Sequence, residues 1–342
     1  MVLVLDIIEI KMNFEANTID DLMYDILEEL IKRPFDVIPT KGASSEIFGA
    51  MLQLNNPRAR LSSTETRGKT FSALGEFLWY LSKSNDLEFI MYYIIRYKNY
   101  SDDGKIVYGG YGPRLFNMRG KHNQINRVIE LLKEKSTTRQ AVIQLFDAED
   151  LLEKHKDIPC TCSLQFILRD NKLNMIVFMR SNDAYWGLPH DIFCFTMIQE
   201  IVARSLNVEL GIYKHSVASL HLYEVSVSDA KQYIGEGFQP TKAPMPEMPI
   251  GNPWESIQTL MQFEQEIRND FTIPVENLKL DNYWLDFAYL LKILALFKNR
   301  KYELIESEKA KINSEIYSAI VQKKIDDNKS KFAKIKYNES RS

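Results

Sequence analysis

The chain has 342 residues, 45% of them hydrophobic and 11% aromatic, enough to bury a sizeable core in one large domain or two ordinary ones and too apolar for disorder. A net charge of -3 supplies no global basic field for duplex nucleic acid, so any bound phosphate must be met by a few placed cations. The opening "MVLVLDIIEIKMNF" lacks a signal peptide's basic start and cleavage site, no run matches a membrane helix, and three cysteines are too few for a disulfide framework; these features predict a soluble, cytoplasmic protein.

In chain order, "TIDDLMYDILEELIKRP" has the spacing of an amphipathic helix capped at Thr18 or Asp20, with Pro34 beyond its end. "SEIFGAMLQL" reads as a strand, and "GKTFSALGEFLWYLSKSND" as a helix burying Phe71, Leu74, Leu78 and Leu81. "YSDDGKIVYGGYGPRL" reads as loop, "QINRVIELLKEKS" as helix and "RQAVIQLF" as a β-branched strand. "SLQFILR" and "LNMIVFM" flank "DNK", a hairpin signal. A long apolar helix "DIFCFTMIQEIVARSLN" and a strand "LGIYKHSVASLHLYEV" follow. The five prolines around residues 240–253 mark a boundary. The predicted division is an α/β or α+β domain over 1–240, a Pro-rich linker over 241–253, and a helical extension over 254–342 with three helical patterns and a Lys-rich tail.

Several residues suggest chemistry. Cys160 follows "DIP" at a strand start, where a prolyl turn can expose a thiol; a small buried hydrophobe is the plainer reading. Cys160 and Cys162 would share a strand face, but a metal site needs further ligands and His155 lies in a charged loop, so no metal is expected. Glu76 sits in an otherwise apolar helix, either on its polar face or as a desolvated carboxyl suited to proton transfer. Arg180 with Ser181, and Arg139, are candidate phosphate ligands, against the alternative of solvated surface cations. His221 and Tyr223 share a strand face and can reach a sugar hydroxyl or simply half-bury there. The stretch "RSNDAYWGLPHD" gathers a cation, a hydroxyl, acids and aromatic surface before closing on Asp191.

Taken together, "IPCTCSLQF", "RSNDAYWGLPHDI" and "HSVASLHLYE", after "EIFGAMLQL", "ALGEFLWYLS", "YGPRL" and "TRQAVIQLFD", resemble the thymidylate synthase family in order and spacing over roughly residues 20–240. The resemblance implies that fold: a large mixed β-sheet forming a homodimer interface. It implies a one-carbon transferase acting on a pyrimidine nucleoside monophosphate, with 5,10-methylenetetrahydrofolate as cosubstrate. Cys160 would be the nucleophile at C6, its thiolate favoured by Arg180. Glu76 would organise water and proton transfers, with Tyr111 near the C5 proton. Arg180, Ser181 and Arg139 would hold the phosphate, Arg139 from across the dimer. Gln165 would contact the nucleotide, His221 and Tyr223 the sugar, and Asp183 and Gly187 the folate.

Departures from the family sharpen the expectation. The position of Asp191 is asparagine in the synthases and aspartate in the family's deoxycytidylate hydroxymethylases. An ionised Asp191 would accept from cytosine N4–H₂ and oppose uracil O4, acceptor against acceptor, so the residue points to dCMP or CMP. The synthases also end in an apolar tail that seals the site. "KIKYNESRS" is polar and is expected to be mobile, and water entering an unsealed site would give a hydroxymethyl product and release tetrahydrofolate. Gln140 stands at a usual phosphate arginine, for which Lys41 or Arg33 could compensate. Thr161 replaces a usual histidine and Ser219 a usual aspartate. The expected activity is hydroxymethylation of dCMP, with methylation of dUMP or dCMP as the nearest alternative and a non-catalytic nucleotide sensor as the alternative of another class.

Overall fold

Patterning by alternation and by helical spacing is realised in a computed structural model that describes residues 11–39, 42–64, 69–238 and 244–339, with side chains through residue 330. Strand β1 (Asn13–Ala16) leads to α1 (Ile19–Ile31). Thr18 caps α1 by accepting the Asp21 N–H at 3.1 Å, and one face of the helix buries Leu22, Met23, Ile26, Leu27 and Leu30. Strand β2 (Ser44–Leu54) and helices α2 (Thr70–Leu81), α3 (Leu87–Tyr93), α4 (Tyr111–Phe116) and α5 (Gln124–Glu134) follow. The segment read as loop is loop only to Gly110, because Pro113 is tolerated in the first turn of α4.

Strands β3 (Val142–Gln144), β4 (Thr161–Arg169) and β5 (Lys172–Asp183) form antiparallel pairs. The β4–β5 hairpin turns through Asp170 and Asn171, both with positive φ, 50° and 57°, as a tight turn requires. Only three residues of "RQAVIQLF" pair as a strand. Beyond Gln144 the N–H groups of Leu145 and Phe146 both converge on the Cys162 carbonyl, beside a register shift between Thr161 and Ser163.

Helix α6 (Leu188–Ser205) crosses to β6 (Glu209–Tyr223), and α7 (Val227–Gly235) closes this part of the chain. The sheet order is β1-β2-β6-β5-β4-β3; β1–β2 and β5–β6 are parallel and the rest antiparallel, the mixed sheet the sequence implied. One sheet face carries the core: Leu52, Leu164, Phe166, Met175, Val177 and Val217 are buried. The other face leaves Phe48 78%, Ile212 38% and Phe178 37% exposed.

After the proline-rich stretch come α8 (Trp254–Asn269), α9 (Asn282–Lys298), α10 (Ile305–Lys309) and α11 (Glu315–Glu339), four α-helices where three patterns were read, since α10 is barely more than one turn. The polar tail continues α11 as helical backbone to Glu339, and residues 340–342 lie outside the described residues. These helices share the sheet's core, which is one cluster from Phe14 to Ile325. Almost all of α9 is buried, and its Lys292 satisfies its ammonium on the carbonyls of Phe271 (2.5 Å) and Ile273 (2.8 Å). Among the described residues no helix is long and apolar enough to cross a membrane.

The proline-rich stretch is fastened to α6 by a buried ion pair. Arg60 bonds Glu200, both side chains are fully buried, and the second carboxylate oxygen accepts the Met248 N–H at 3.0 Å. Arg60→Met leaves Glu200 in the interior without its cation. Urea unfolding should show a loss of about 3–5 kcal/mol, and a loss below about 1 kcal/mol would show that the pair does not hold this stretch to α6.

Candidate active site

The ends of β5 and β6, the start of β4 and the first turn of α6 meet α2, α3 and α4 around a cavity of about 700 Å³. Cys160, Glu76, Tyr111, Ser181, Asp183, Gly187, Asp191, His221 and Tyr223 all line it, although they come from segments far apart in sequence.

Cys160 precedes β4 on a loop that Arg180 holds. The Arg180 N–H bonds the Cys160 carbonyl at 2.9 Å. Its Nε donates to the Pro159 carbonyl at 3.0 Å, and Nη2 to the Ile158 carbonyl at 3.0 Å and to Cys160 Sγ at 3.7 Å. One guanidinium therefore fixes the loop and places positive charge on the sulfur, which favours the thiolate. Two of its nitrogens are already committed to carbonyls, so its part in any phosphate site is shared with this structural task.

Glu76 is buried in α2 and accepts hydrogen bonds from Tyr97 Oη at 2.6 Å and Tyr80 Oη at 3.2 Å. Burial pushes its carboxyl above the usual range, and the two phenols only partly offset that. Tyr111 Oη lies 2.9 Å from Thr161 Oγ1 and accepts the Thr161 N–H at 3.1 Å, so the threonine at an unusual position serves to seat the tyrosine. His221 and Tyr223 meet edge to face at 4.9 Å. Ser219, the other departure, donates to Glu46 across the β2–β6 pair.

Asp183 Oδ1 accepts the N–H groups of Tyr185 and Trp186, each at 2.9 Å, and so shapes the turn into α6. Asp191, in the first turn of α6, accepts from Asn182 Nδ2 at 2.8 Å. Burial, and then the nearby Glu76 carboxylate, push the Asp191 carboxyl well above the usual range, with Asn182 acting the other way. This revises the premise of the cytosine argument: the ionised Asp191 that would oppose uracil O4 is the disfavoured form. A neutral acid both donates and accepts and can meet either base.

Arg139 and Gln165 are not among the residues lining the cavity. On β4, Leu164 and Phe166 point into the core, so alternation turns Gln165 to the opposite sheet face, where its Nε2 donates to the Arg139 carbonyl at 2.9 Å. Gln140 also lies outside the lining, Arg33 is paired with Glu29 at 2.8 Å, and Lys41 is outside the described residues.

Sequence reasoning missed Tyr80, Tyr97, Trp79, Arg96 and Asn182, which line the same cavity as Cys160. Tyr80 had a signal, since it lies one helical turn after Glu76 in α2. Arg96 stands 4.5 Å from the Trp186 ring. Gly75 permits the close packing of α3 on α2, because a Cβ there would lie 2.0 Å from the Tyr93 ring.

The family model for thymidylate synthase matches residues 20–286, and the chain belongs to that family. Three curated relatives are each called deoxyuridylate hydroxymethyltransferase. The chain is 38% identical to that of Pseudomonas phage M6 over 163 residues, 47% of this chain and 46% of the relative. It is 31% identical to that of Bacillus phage SP01 over 252 residues, 68% of this chain and 66% of the relative. It is 27% identical to that of Delftia phage PhiW-14 over 236 residues, 65% of this chain and 64% of the relative. The chain thus spans between 46% and 66% of the length of these relatives.

The burial of Asp191 has a thermodynamic signature. Its folded-state pKa lies above the unfolded value, so the folded protein holds the proton more tightly and loses stability as pH rises above the ordinary carboxylate range toward the folded pKa. Asp191→Asn lacks that loss. The Tm of the variant minus that of the wild type should therefore grow between about pH 5 and about pH 8; a flat or shrinking difference would mean that Asp191 is already ionised in the folded protein at the lower pH.

Proposed function

We propose that this chain hydroxymethylates C5 of a pyrimidine 2′-deoxynucleoside monophosphate, with dUMP the preferred substrate and methylenetetrahydrofolate the one-carbon donor. The observation that carries the reading is Cys160 in one cavity with the buried Glu76, its Sγ 3.7 Å from Nη2 of Arg180, which is not among the residues lining that cavity.

In this reading Cys160 adds through sulfur to C6 and the displaced electron pair develops at C5, the carbon that takes up the one-carbon unit. The cosubstrate supplies that carbon at the formaldehyde oxidation level. The C5 proton then leaves toward the Tyr111–Thr161 hydroxyls or water, and the electron pair it leaves breaks the bond from the new carbon to the folate nitrogen, releasing tetrahydrofolate and leaving an exocyclic methylene at C5. Glu76, kept protonatable by burial and fed by Tyr97 and Tyr80, positions the water that adds to the new exocyclic carbon as Sγ departs from C6. The balance is nucleotide, donor and one water giving the hydroxymethyl nucleotide and tetrahydrofolate, with no net redox change.

The residues suit such a donor. Trp79, Tyr93, Tyr97 and Trp186 offer flat aromatic surface for a pterin, and Arg96 and Lys69 offer cations for an acidic tail. His221 and Tyr223 are placed to meet the sugar. A homodimer belongs to the same reading: the exposed Phe48, Phe178 and Ile212 face suits a second copy, and Arg139, beside Gln165 on that face, would reach the partner's phosphate.

The names of the three relatives favour uracil, and the burial that disfavours an ionised Asp191 removes the objection to it. Asp191 also supports a second reading, dCMP, because any ionised fraction accepts from cytosine N4–H₂.

Tritium release from C5-labelled dUMP, dCMP, UMP and CMP with methylenetetrahydrofolate, followed by chromatography of the product, tests this function. Release should be greatest from dUMP and the product hydroxymethylated. Cys160→Ala should lower release by about 10³-fold or more, and Glu76→Gln should lower kcat about 10²–10⁴-fold. Release chiefly from dCMP would transfer the conclusion to the second reading, and a folded wild type silent with all four would overturn both.

A further inference from the structure

We propose that Asn182 is a specificity residue that reads the base, its side-chain carbonyl accepting the N3–H of uracil while Asp191 holds the amide in register. This rests on the nucleotide reading of the cavity and deepens it.

Asn182 lies near the end of β5, in register with Leu220 of β6; it is 4% exposed and lines the cavity. Its amide is half used. Nδ2 donates to Asp191 Oδ2 at 2.8 Å, whereas Oδ1 is buried and has no hydrogen-bond partner among the described residues. Buried carbonyl oxygens are rarely left without a donor unless something outside the fold supplies one. Asn182 lines the cavity and its Nδ2 is tied to α6, so an occupant of the cavity is the donor this reading assigns to Oδ1.

The surroundings hold the amide in one orientation. Gly187 lies over the pair: a Cβ there would sit 3.1 Å from Asn182 Nδ2 and 3.5 Å from Asp191 Oδ2, crowding the bond that orients the amide. Asp191 is itself buried, and as a neutral acid it accepts from Nδ2 and keeps one O–H. The pair then presents a carbonyl acceptor and a hydroxyl donor side by side. Uracil offers the complement along one edge, an N3–H donor beside the O4 acceptor. Cytosine offers the same two functions in the reverse order, N3 accepting and N4–H₂ donating, so the order of the protein groups selects the base. The acidic residue alone does not set that order, because either of its oxygens can carry the proton; the fixed amide does.

The test is equilibrium binding to the full chain without folate, by calorimetry, using dUMP, dCMP, N3-methyl-dUMP and 2-deoxyribose 5-phosphate. Asn182→Ala should weaken dUMP about ten- to a hundredfold and leave deoxyribose phosphate within about twofold, and wild type and variant should bind N3-methyl-dUMP alike. Asn182→Leu, which keeps the branching and number of side-chain heavy atoms and leaves no cavity, should reproduce the pattern and separates lost recognition from a cavity effect. Equal weakening of dUMP and deoxyribose phosphate, or no weakening of either, would overturn the proposal while the nucleotide reading stands. A wild type that prefers dCMP to dUMP would likewise overturn the N3–H contact alone. A folded wild type that binds none of the four would remove the nucleotide reading and this inference with it.

Discussion

Two carboxyl groups, Glu76 and Asp191, are taken out of water inside one cavity, and much of the site's construction answers to that. Burial is the largest influence on each, and the negative charge of Glu76 further raises Asp191. The structure offsets the cost with neutral donors: two phenols on Glu76 and one amide on Asp191. Arg96 bears on Glu76 only after the two phenols, and the guanidinium of Arg180 is turned to Cys160 and its loop. Charge is thus unevenly distributed on purpose of chemistry: the thiol is given a cation, whereas the acids are left able to hold or release a proton.

The scaffold sustains this by bringing rigid ends together. Strand ends of β5 and β6 deliver Ser181, Asn182, Asp183, His221 and Tyr223, and one helix start delivers Gly187 and Asp191. The C-terminal helices brace the rim from behind. Lys323 donates to the Thr64 carbonyl at 2.5 Å, and Lys324 lies 4.9 Å from the Phe71 ring and 5.2 Å from the Phe297 ring. These contacts flank the segment that enters α2, where Lys69 and Ser72 line the cavity. The extension therefore packs on the site's own supporting helix.

Elements with a strong period were legible in the sequence. Helix α1 starts at the Thr18 cap its residues suggested, the Asp170–Asn171 hairpin turns where "DNK" stands, and α2, α6 and β6 fall on their patterns. Strand β3 was less legible because its length depends on where the partner strand shifts register, which the β-branched run does not encode. The residues carried by motifs around Cys160 and Asp191 line one cavity. Tyr97 was not legible in the sequence, because only the packing of its short helical turn against α2 brings its hydroxyl to Glu76. Gln165 shows what a motif alone leaves out: its place on β4 turns it to the sheet face opposite Leu164 and Phe166.

Asp191 shows why residue type and chemical state must be argued separately. As a letter in the sequence, aspartate in place of an amide reads as an acceptor, and an acceptor reads as a preference for cytosine. In the folded chain the same group is buried at the base of a helix, against a second carboxyl and an asparagine, and burial favours the neutral acid, with donor and acceptor together. An amide stands next to Asp191 on Asn182, carried by the end of β5, which pairs there with Leu220 of β6. Recognition by such a pair depends on which group is held immobile, and the immobile one is the amide. A base-reading function can accordingly move between neighbouring positions of a fold while the sequence at the original position suggests that the preference has changed.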